Sequence, residues 1–328
     1  MSKGVTNIAT ATTVAEAVQM AGLGWQVETR PVFTTAPAVD GSPFPRAINC
    51  PHDRAVIRTD TNKVLSVVGT RYVPFQQKDA FRFVDELVMA GAKFETAGEW
   101  DGGIRTFLQL RMDSQPMVIG GDEVNRHITI LNSHDGSCQL QVFLSGIRLV
   151  CWNRLQHALR RASELFKLRH TGDLELKLFR LDEFLASSHK WWNEFYERMT
   201  RLVAYQMPDS RLDEMLGNAF YPQHEPIEEM VTAPGTVTEQ VAETKTRRIN
   251  LYNDVKRFIF HGSGQERPAI QGTAWQAYNG VAEYVDWHLP MRGDDDSGSR
   301  MQSAYIGRGS AIKQRALRWL ETNTSVRN

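Results

Sequence analysis

Residues 126–169 read RHITILNSHDGSCQLQVFLSGIRLVCWNRLQHALRRASELFKLR, and this stretch decides the fold class. RHITILN and SCQLQVFL flank HDG, which is the signature of two strands joined by a tight turn. In the second strand Cys138, Leu140, Val142 and Leu144 point one way, and Gln139, Gln141 and Phe143 the other. The period then changes. From Asn153 to Arg169 the apolar residues Leu155, Ala158, Leu159, Ala162, Leu165 and Phe166 fall on one helical arc. Arg154, His157, Arg160, Arg161, Glu164 and Lys167 fall on the opposite arc, and Asn153 suits the N-cap. A hairpin followed by an amphipathic basic helix predicts a helix packed on an antiparallel sheet.

The same grammar extends upstream. RAVIRT and KVLSVVG flank DTN, and AKFETAG and IRTFLQLRM flank EWDGG, giving two more hairpins. Between them QQKDAFRFVDELVMAG reads as one helix ended by Gly91. Residues 31–51 hold Pro31, Pro37, Pro43, Pro45 and Pro51 and read as an irregular connector. A short helix is expected from Thr13 to Met20. Downstream, helices are expected at Leu181–Tyr205, Pro208–Phe220, Thr246–Phe260, Thr273–Leu289 and Ser310–Thr322, with MRGDDDSGSR as a loop. The predicted fold is α+β: antiparallel hairpins with a packed basic helix, then a mainly helical C-terminal region. The expected division is a polar segment 1–24, a sheet-and-helix domain 25–170, a helical extension 171–220, an acidic linker 221–243 and a helical region 244–328.

The 328 residues balance 38 Lys and Arg against 38 Asp and Glu, so no global field draws the chain to an anionic partner. Any electrostatic function must use segregated charge. With 41% hydrophobic and 23% charged residues the composition is that of a globular protein. Three cysteines, Cys50, Cys138 and Cys151, do not make a disulfide framework and fit a reducing compartment. No signal peptide or membrane-spanning run is legible, so the expectation is a cytoplasmic protein without a membrane partner.

The basic helix is the first candidate site. Arg148, Arg154, Arg160, Arg161 and Lys167 would contact phosphates, with His157 on the same arc and Trp152 as a stacking platform for a single strand. Arginine suits this role because its guanidinium both forks onto phosphate and stacks on bases. The same arc reads equally as a solvated helix face with Trp152 in the core. A second row, Arg105, Phe107, Gln109 and Arg111, alternates with Thr106, Leu108 and Leu110 and reads as the wet face of the sheet or as one covered by another helix. A third group, Arg71, Tyr72, Phe75 and Lys78, lies at a strand-to-helix junction. Arg71, Tyr72, Lys78, Arg105, Phe107 and Arg111 are thus secondary nucleic-acid candidates.

No catalytic constellation, cofactor motif or metal-ligand spacing is legible. GGDEV at Gly120–Val124 resembles a diguanylate cyclase signature but lacks that family's α/β context and upstream metal-binding aspartate, so it reads as a polar turn. HGSGQ at His261–Gln265 lacks the Lys-Ser/Thr ending of a phosphate loop and reads as a helix end. Cys50 with His52 is too sparse for zinc, and Asp294–Asp296 reads as a solvated loop. The expectation is a non-enzyme.

Five stretches together resemble the phage/plasmid-like protein family of unknown function: GTRYVPFQQKDAFRFVDEL, GAKFETAGEWDGGIRTFLQL, FLSGIRLVCWNRL, TAWQAYNGVAEYVDW and SAYIGRGSAIKQRALRWL. They span most of residues 25–322, and the resemblance implies an origin on a mobile element. The order of hairpins and basic helix, with Arg154, Arg160 and Arg161 in RLQHALRRASELF, also resembles single-strand annealing proteins of the Rad group and of phages. The helical half after Leu181 departs from that pattern. The functional expectation is a self-associating protein that binds single-stranded DNA, with strand annealing as its possible activity. The alternative is a protein–protein module acting on a host or defence component, with the acidic segment 221–243 and the helices around Trp191 and Trp275 as its surfaces.

Overall fold

A computed structural model describes residues 5–37, 44–112, 115–137, 140–148, 154–155, 167–168, 181–223, 239–291 and 297–324. In chain order the strands are β1 (Val5–Asn7), β2 (Val27–Ala36), β3 (Arg46–Arg58), β4 (Lys63–Gly69), β5 (Lys93–Trp100), β6 (Arg105–Arg111), β7 (Met117–Ile119), β8 (Asp122–Ser133), β9 (Leu140–Arg148), β10 (Arg154–Leu155) and β11 (Lys167–Leu168). The α-helices are α1 (Val14–Met20), α2 (Gln77–Ala80), α3 (Val84–Met89), α4 (Leu181–Ala204), α5 (Asp209–Phe220), α6 (Glu239–His261), α7 (Ala274–Glu283), α8 (Ser297–Tyr305) and α9 (Arg308–Thr324). A π-turn, Tyr284–His288, extends α7. The fold is α+β with its strands antiparallel and its helices concentrated in the C-terminal part.

The larger sheet has the order β1-β5-β6-β8-β9-β10, with β7 on β8 and β11 on β9; the smaller has the order β2-β3-β4. All three predicted hairpins form: β3–β4, β5–β6 and β8–β9. Their turns bring the backbone into the left-handed region at Asn62, at Asp101-Gly102-Gly103 and at Gly136, where short polar side chains or glycine are tolerated.

The chain forms two compact units. The first takes residues up to Asp113 with His127–Phe143 and Arg160–Ala186; the second takes Ser114–Arg126, Leu144–Leu159 and Ser187 onward. In the first, Trp25, Val27, Val56, Leu65 and Val68 form a buried cluster closed by Tyr72 and Ile104. In the second, α7 is buried along its whole length, and α9 buries Ile312, Ala316, Leu317 and Leu320. Gly280 lets α7 approach α6 closely: a Cβ there would stand 2.4 Å from the Ile259 Cα.

Three expectations need correction. The described ends of 31–51 are strand, because β2 runs through Pro31 to Ala36 and β3 from Arg46 through Pro51. Proline is tolerated there because β2 is an edge strand, the register shifts at Pro31/Val32, and β3 pairs β4 only from Asp53 on. The helix expected from Gln76 to Gly91 is broken into α2 and α3. Phe81 and Phe83 are both buried, and a regular helix would place residues two apart on nearly opposite sides. Finally, Asn153–Arg169 is not one continuous helix: Arg154–Leu155 pairs with Ile147 and Gly146, and Lys167–Leu168 with Gln141 and Leu140. These strands satisfy backbone groups along the edge of β9, a long-range demand that helical periodicity does not register.

Candidate nucleic-acid interface

The sequence places the principal cations between Arg148 and Lys167. Arg148 ends β9, Arg154 opens β10 and Lys167 opens β11. Trp152, His157, Arg160 and Arg161 lie outside the described residues.

The row on β6 is not a wet face. Phe107 and Gln109 are buried, and so are Thr106, Leu108 and Leu110 on the other side, so both faces of β6 are covered. Phe107 stacks on Trp100 at 4.7 Å, so its ring is engaged in the core. Arg105 is neutralised by Asp101 at 2.6 Å and Asp135 at 3.2 Å, and also donates to the Ser137 hydroxyl. Arg111 is exposed at the strand end.

The junction after β4 is built more firmly. Tyr72 donates its hydroxyl to the Ser133 carbonyl at 2.9 Å and packs on the first unit's core, which fixes it structurally. Gln76 donates to the Val27 carbonyl and accepts from its N–H, as a strand neighbour would. Gln77 is buried, accepts from the Thr106 hydroxyl at 2.7 Å and meets the His134 ring at 2.9 Å. Asp85 accepts from the Val14 N–H at 3.0 Å, helping Thr13 to cap α1. Arg71 and Lys78 are exposed. Lys78 lines a cleft of about 370 Å³ whose inner wall includes Val14, Val18, Leu23 and Trp25.

Below that wall lies a buried ionic network. Trp25 Nε1 donates to Glu99 at 3.0 Å, Arg58 Nη1 donates to the same carboxylate at 2.9 Å, and the Arg58 guanidinium lies 4.3 Å from the Trp25 ring centroid. Burial opposes the charge on Arg58, but Asp60 and Glu99 outweigh it and hold its pKa above the ordinary value.

In the second unit α9 carries a cationic set that the sequence reading passes over. Arg308, Arg315 and Arg318 are seven and three residues apart, which places them within a quarter turn of one another on the helix. None of them forms an ion pair among the described residues, whereas Arg198 pairs with Glu321 and Arg211 with Glu214. Arg315 donates Nε to the Ala219 carbonyl at 2.7 Å, near the C-terminal end of α5, and Arg318 donates Nε to the Gln314 carbonyl. Burial first, and then Arg318 and Arg308, lower the pKa of Arg315 from its ordinary value. Three like charges thus lie within range of one another, with no carboxylate at ion-pairing distance among the described residues. The spacing in RGSAIKQRALRW was the available signal, obscured because the helix also buries a strong apolar face.

The motifs resembling chemistry have structural roles. Gly120 and Gly121, both at positive φ, make the two-residue turn between β7 and β8. Asp122 is fully buried rather than part of a polar surface; it pairs with Arg267 and accepts from Trp275 Nε1 at 2.9 Å. In HGSGQ, the Ser263 N–H and hydroxyl donate to the Glu283 carboxylate, so this loop holds an anion of the protein itself. Cys50 is a free, half-buried thiol, and His52 beside it is exposed. Among the described residues, no three His, Cys, Asp or Glu side chains are placed to hold a metal, and no helix is long and apolar enough to cross a membrane.

A family model described as Domain of unknown function (DUF932) matches residues 64–305, from within β4 to the end of α8. No curated protein and no solved structure matches the chain.

Proposed function

The chain belongs to the family described as Domain of unknown function (DUF932), and within it we propose a non-enzymatic protein of a phage or plasmid that binds single-stranded DNA and self-associates. The observation that carries this reading is the α9 arginine set: Arg308, Arg315 and Arg318 share one helix side with no acidic partner among the described residues. In a chain of balanced charge, such a cluster is the segregated cation that binding to a phosphate backbone requires. Phosphates placed among the three would relieve their mutual repulsion, and each one neutralised releases a counterion from the nucleic acid. Arg148, Arg154, Arg160, Arg161 and Lys167 remain the second set of phosphate contacts, with Trp152 as the stacking residue. Strand annealing is the activity to assay once binding is established.

The test is fluorescence anisotropy with a labelled single-stranded oligonucleotide and its duplex across a salt series. The expected result is submicromolar binding that favours the single strand, with log Kobs falling by about 0.7 per phosphate contact for each unit of log salt. Absence of binding at low salt overturns the reading.

A second reading, a protein–protein module acting on a host or defence component, rests on the outer half of the β2–β3 hairpin. Phe33 is 60% exposed and Ile48 38%, and Phe44, just before β3, is 77% exposed. Trp191 and Trp275 do not support this reading, since both rings are buried. Capture of one host protein irrespective of salt, lost in Phe33→Ser, would favour it over DNA binding.

A further inference from the structure

The cleft beside Lys78 has the construction of a small-molecule site, and it is independent of the α9 arginines. Its volume of about 370 Å³ falls in the range of ligand pockets, roughly 300–1,000 Å³. Val14, Val18, Leu23 and Trp25 supply a buried apolar wall. The wall is rigid: Asp85 fixes the start of α1, the Gln76 amide ties Val27 to the junction, and Trp25 is held by Glu99. The charge stands at the rim, where the exposed Lys78, Arg82 and Asp85 line the opening. Asp85 already accepts the Val14 N–H, and Lys78 has no ion pair among the described residues.

We propose that this cleft binds a small organic anion, a carboxylate or phosphate monoester with a compact apolar body. The body would lie over Ala15 and Gly24, backed by the buried side chains of Val18 and Leu23, and the acid group would take Lys78. An apolar wall rewards removal of the body from water, and a lysine at the rim fixes orientation without burying its own charge. A bare anion would gain only the exposed lysine contact, and a neutral apolar molecule only the wall. Both parts are therefore needed for measurable affinity.

The wall also offers a direct way to close the site. Gly24 lines the cleft, its φ is not left-handed, and a Cβ built on it meets no atom within 4 Å. Gly24→Trp therefore fills the cleft without straining the backbone, while Lys78→Ala removes the cation and leaves the space.

Isothermal titration of the full chain with benzoate, phenyl phosphate, phenol and inorganic phosphate tests the proposal. Benzoate or phenyl phosphate is expected to bind, and which of them does so distinguishes a carboxylate ligand from a phosphate ester. Phenol and inorganic phosphate should each bind at least about 10-fold more weakly, the equivalent of one charge-assisted contact. Lys78→Ala should weaken the bound acid by about 10-fold, and Gly24→Trp should abolish binding with an unchanged circular dichroism spectrum. The proposal is overturned if neither acid binds at millimolar concentration, or if binding survives both substitutions. Arg315→Ala with Arg318→Ala leaves this binding intact, so its failure and that of DNA binding are read separately.

Discussion

Lys313 Nζ lies 2.6 Å from Asp286 Oδ1, and neither side chain is exposed to solvent. Asp286 sits in the π-turn that follows α7, and Lys313 reaches it from α9. Taking two charges out of water costs several kcal/mol per ion, and their attraction offsets that cost only while both remain. Lys313→Met should therefore destabilise the protein by about 3–5 kcal/mol, because it takes the ammonium partner from a buried carboxylate. The double variant Lys313→Met with Asp286→Leu should recover most of that loss. Urea unfolding of the three proteins decides the matter; a double variant as unstable as the single one would show that the pair is not the cause.

Asp135 gives the first unit an acid-sensitive turn. It accepts from the Ser137 N–H at 2.9 Å and from Arg105 at 3.2 Å at the β8–β9 turn. Burial works against its charge, but the Ser137 hydrogen bonds and Arg105 outweigh burial, and its pKa lies below the ordinary aspartate value. A depressed carboxylate pKa means that the unfolded chain takes up the proton first as pH falls. The stability it contributes is present above the ordinary value, about pH 4, and is lost as pH falls through the lower folded value. Asp135→Asn should flatten the acid limb of the stability curve, measured by denaturant unfolding between about pH 2 and pH 5. An unchanged acid limb would remove Asp135 from the account.

Gly280 is set by packing rather than by a turn. A Cβ there would stand 2.4 Å from the Ile259 Cα and 2.5 Å from its Cγ1, so α6 and α7 would have to separate. Overpacking of this kind typically costs about 1–3 kcal/mol. Gly280→Ala should lower the melting temperature despite alanine's better helix propensity. A Gly24→Ala control, where a Cβ meets nothing, should be nearly neutral. A stabilised Gly280→Ala protein would mean that the crossing is looser than described.

The hairpins were legible because their information is local: DTN, WDGG and HDG name their own turns. The helices α4, α5 and α7 were legible for the same reason, their apolar period lying within single segments. What failed depends on distant partners. Pro31 and Pro51 look like breakers until β2 is seen at an edge and β3 without a β4 partner at that level. β10 and β11 exist through pairing with β9, which periodicity cannot anticipate. α8 begins inside the acidic, glycine-containing run MRGDDDSGSR, whose composition favours a loop. Of the secondary nucleic-acid candidates, Lys78 is exposed beside a cleft, whereas Tyr72 and Phe107, picked out by junction and alternation, anchor the fold.

The two cationic sets make separable predictions about DNA. Arg315→Ala with Arg318→Ala removes two of the three unpaired charges on α9, and the loss of the Ala219 carbonyl contact, made by a charged group, should cost about 1.5–3 kcal/mol of stability. If both arginines touch phosphate, the salt slope on a single strand should shrink by about 1.4 and affinity at low salt should fall. Arg160→Ala with Arg161→Ala should shrink it by a similar amount if that segment contributes two contacts. The quadruple variant should show the sum if the strand contacts both regions at once. Loss of slope in only one pair assigns the interface to that pair alone. An unchanged slope in all three proteins would leave binding without an arginine basis and would put the β2–β3 hairpin first as the functional surface.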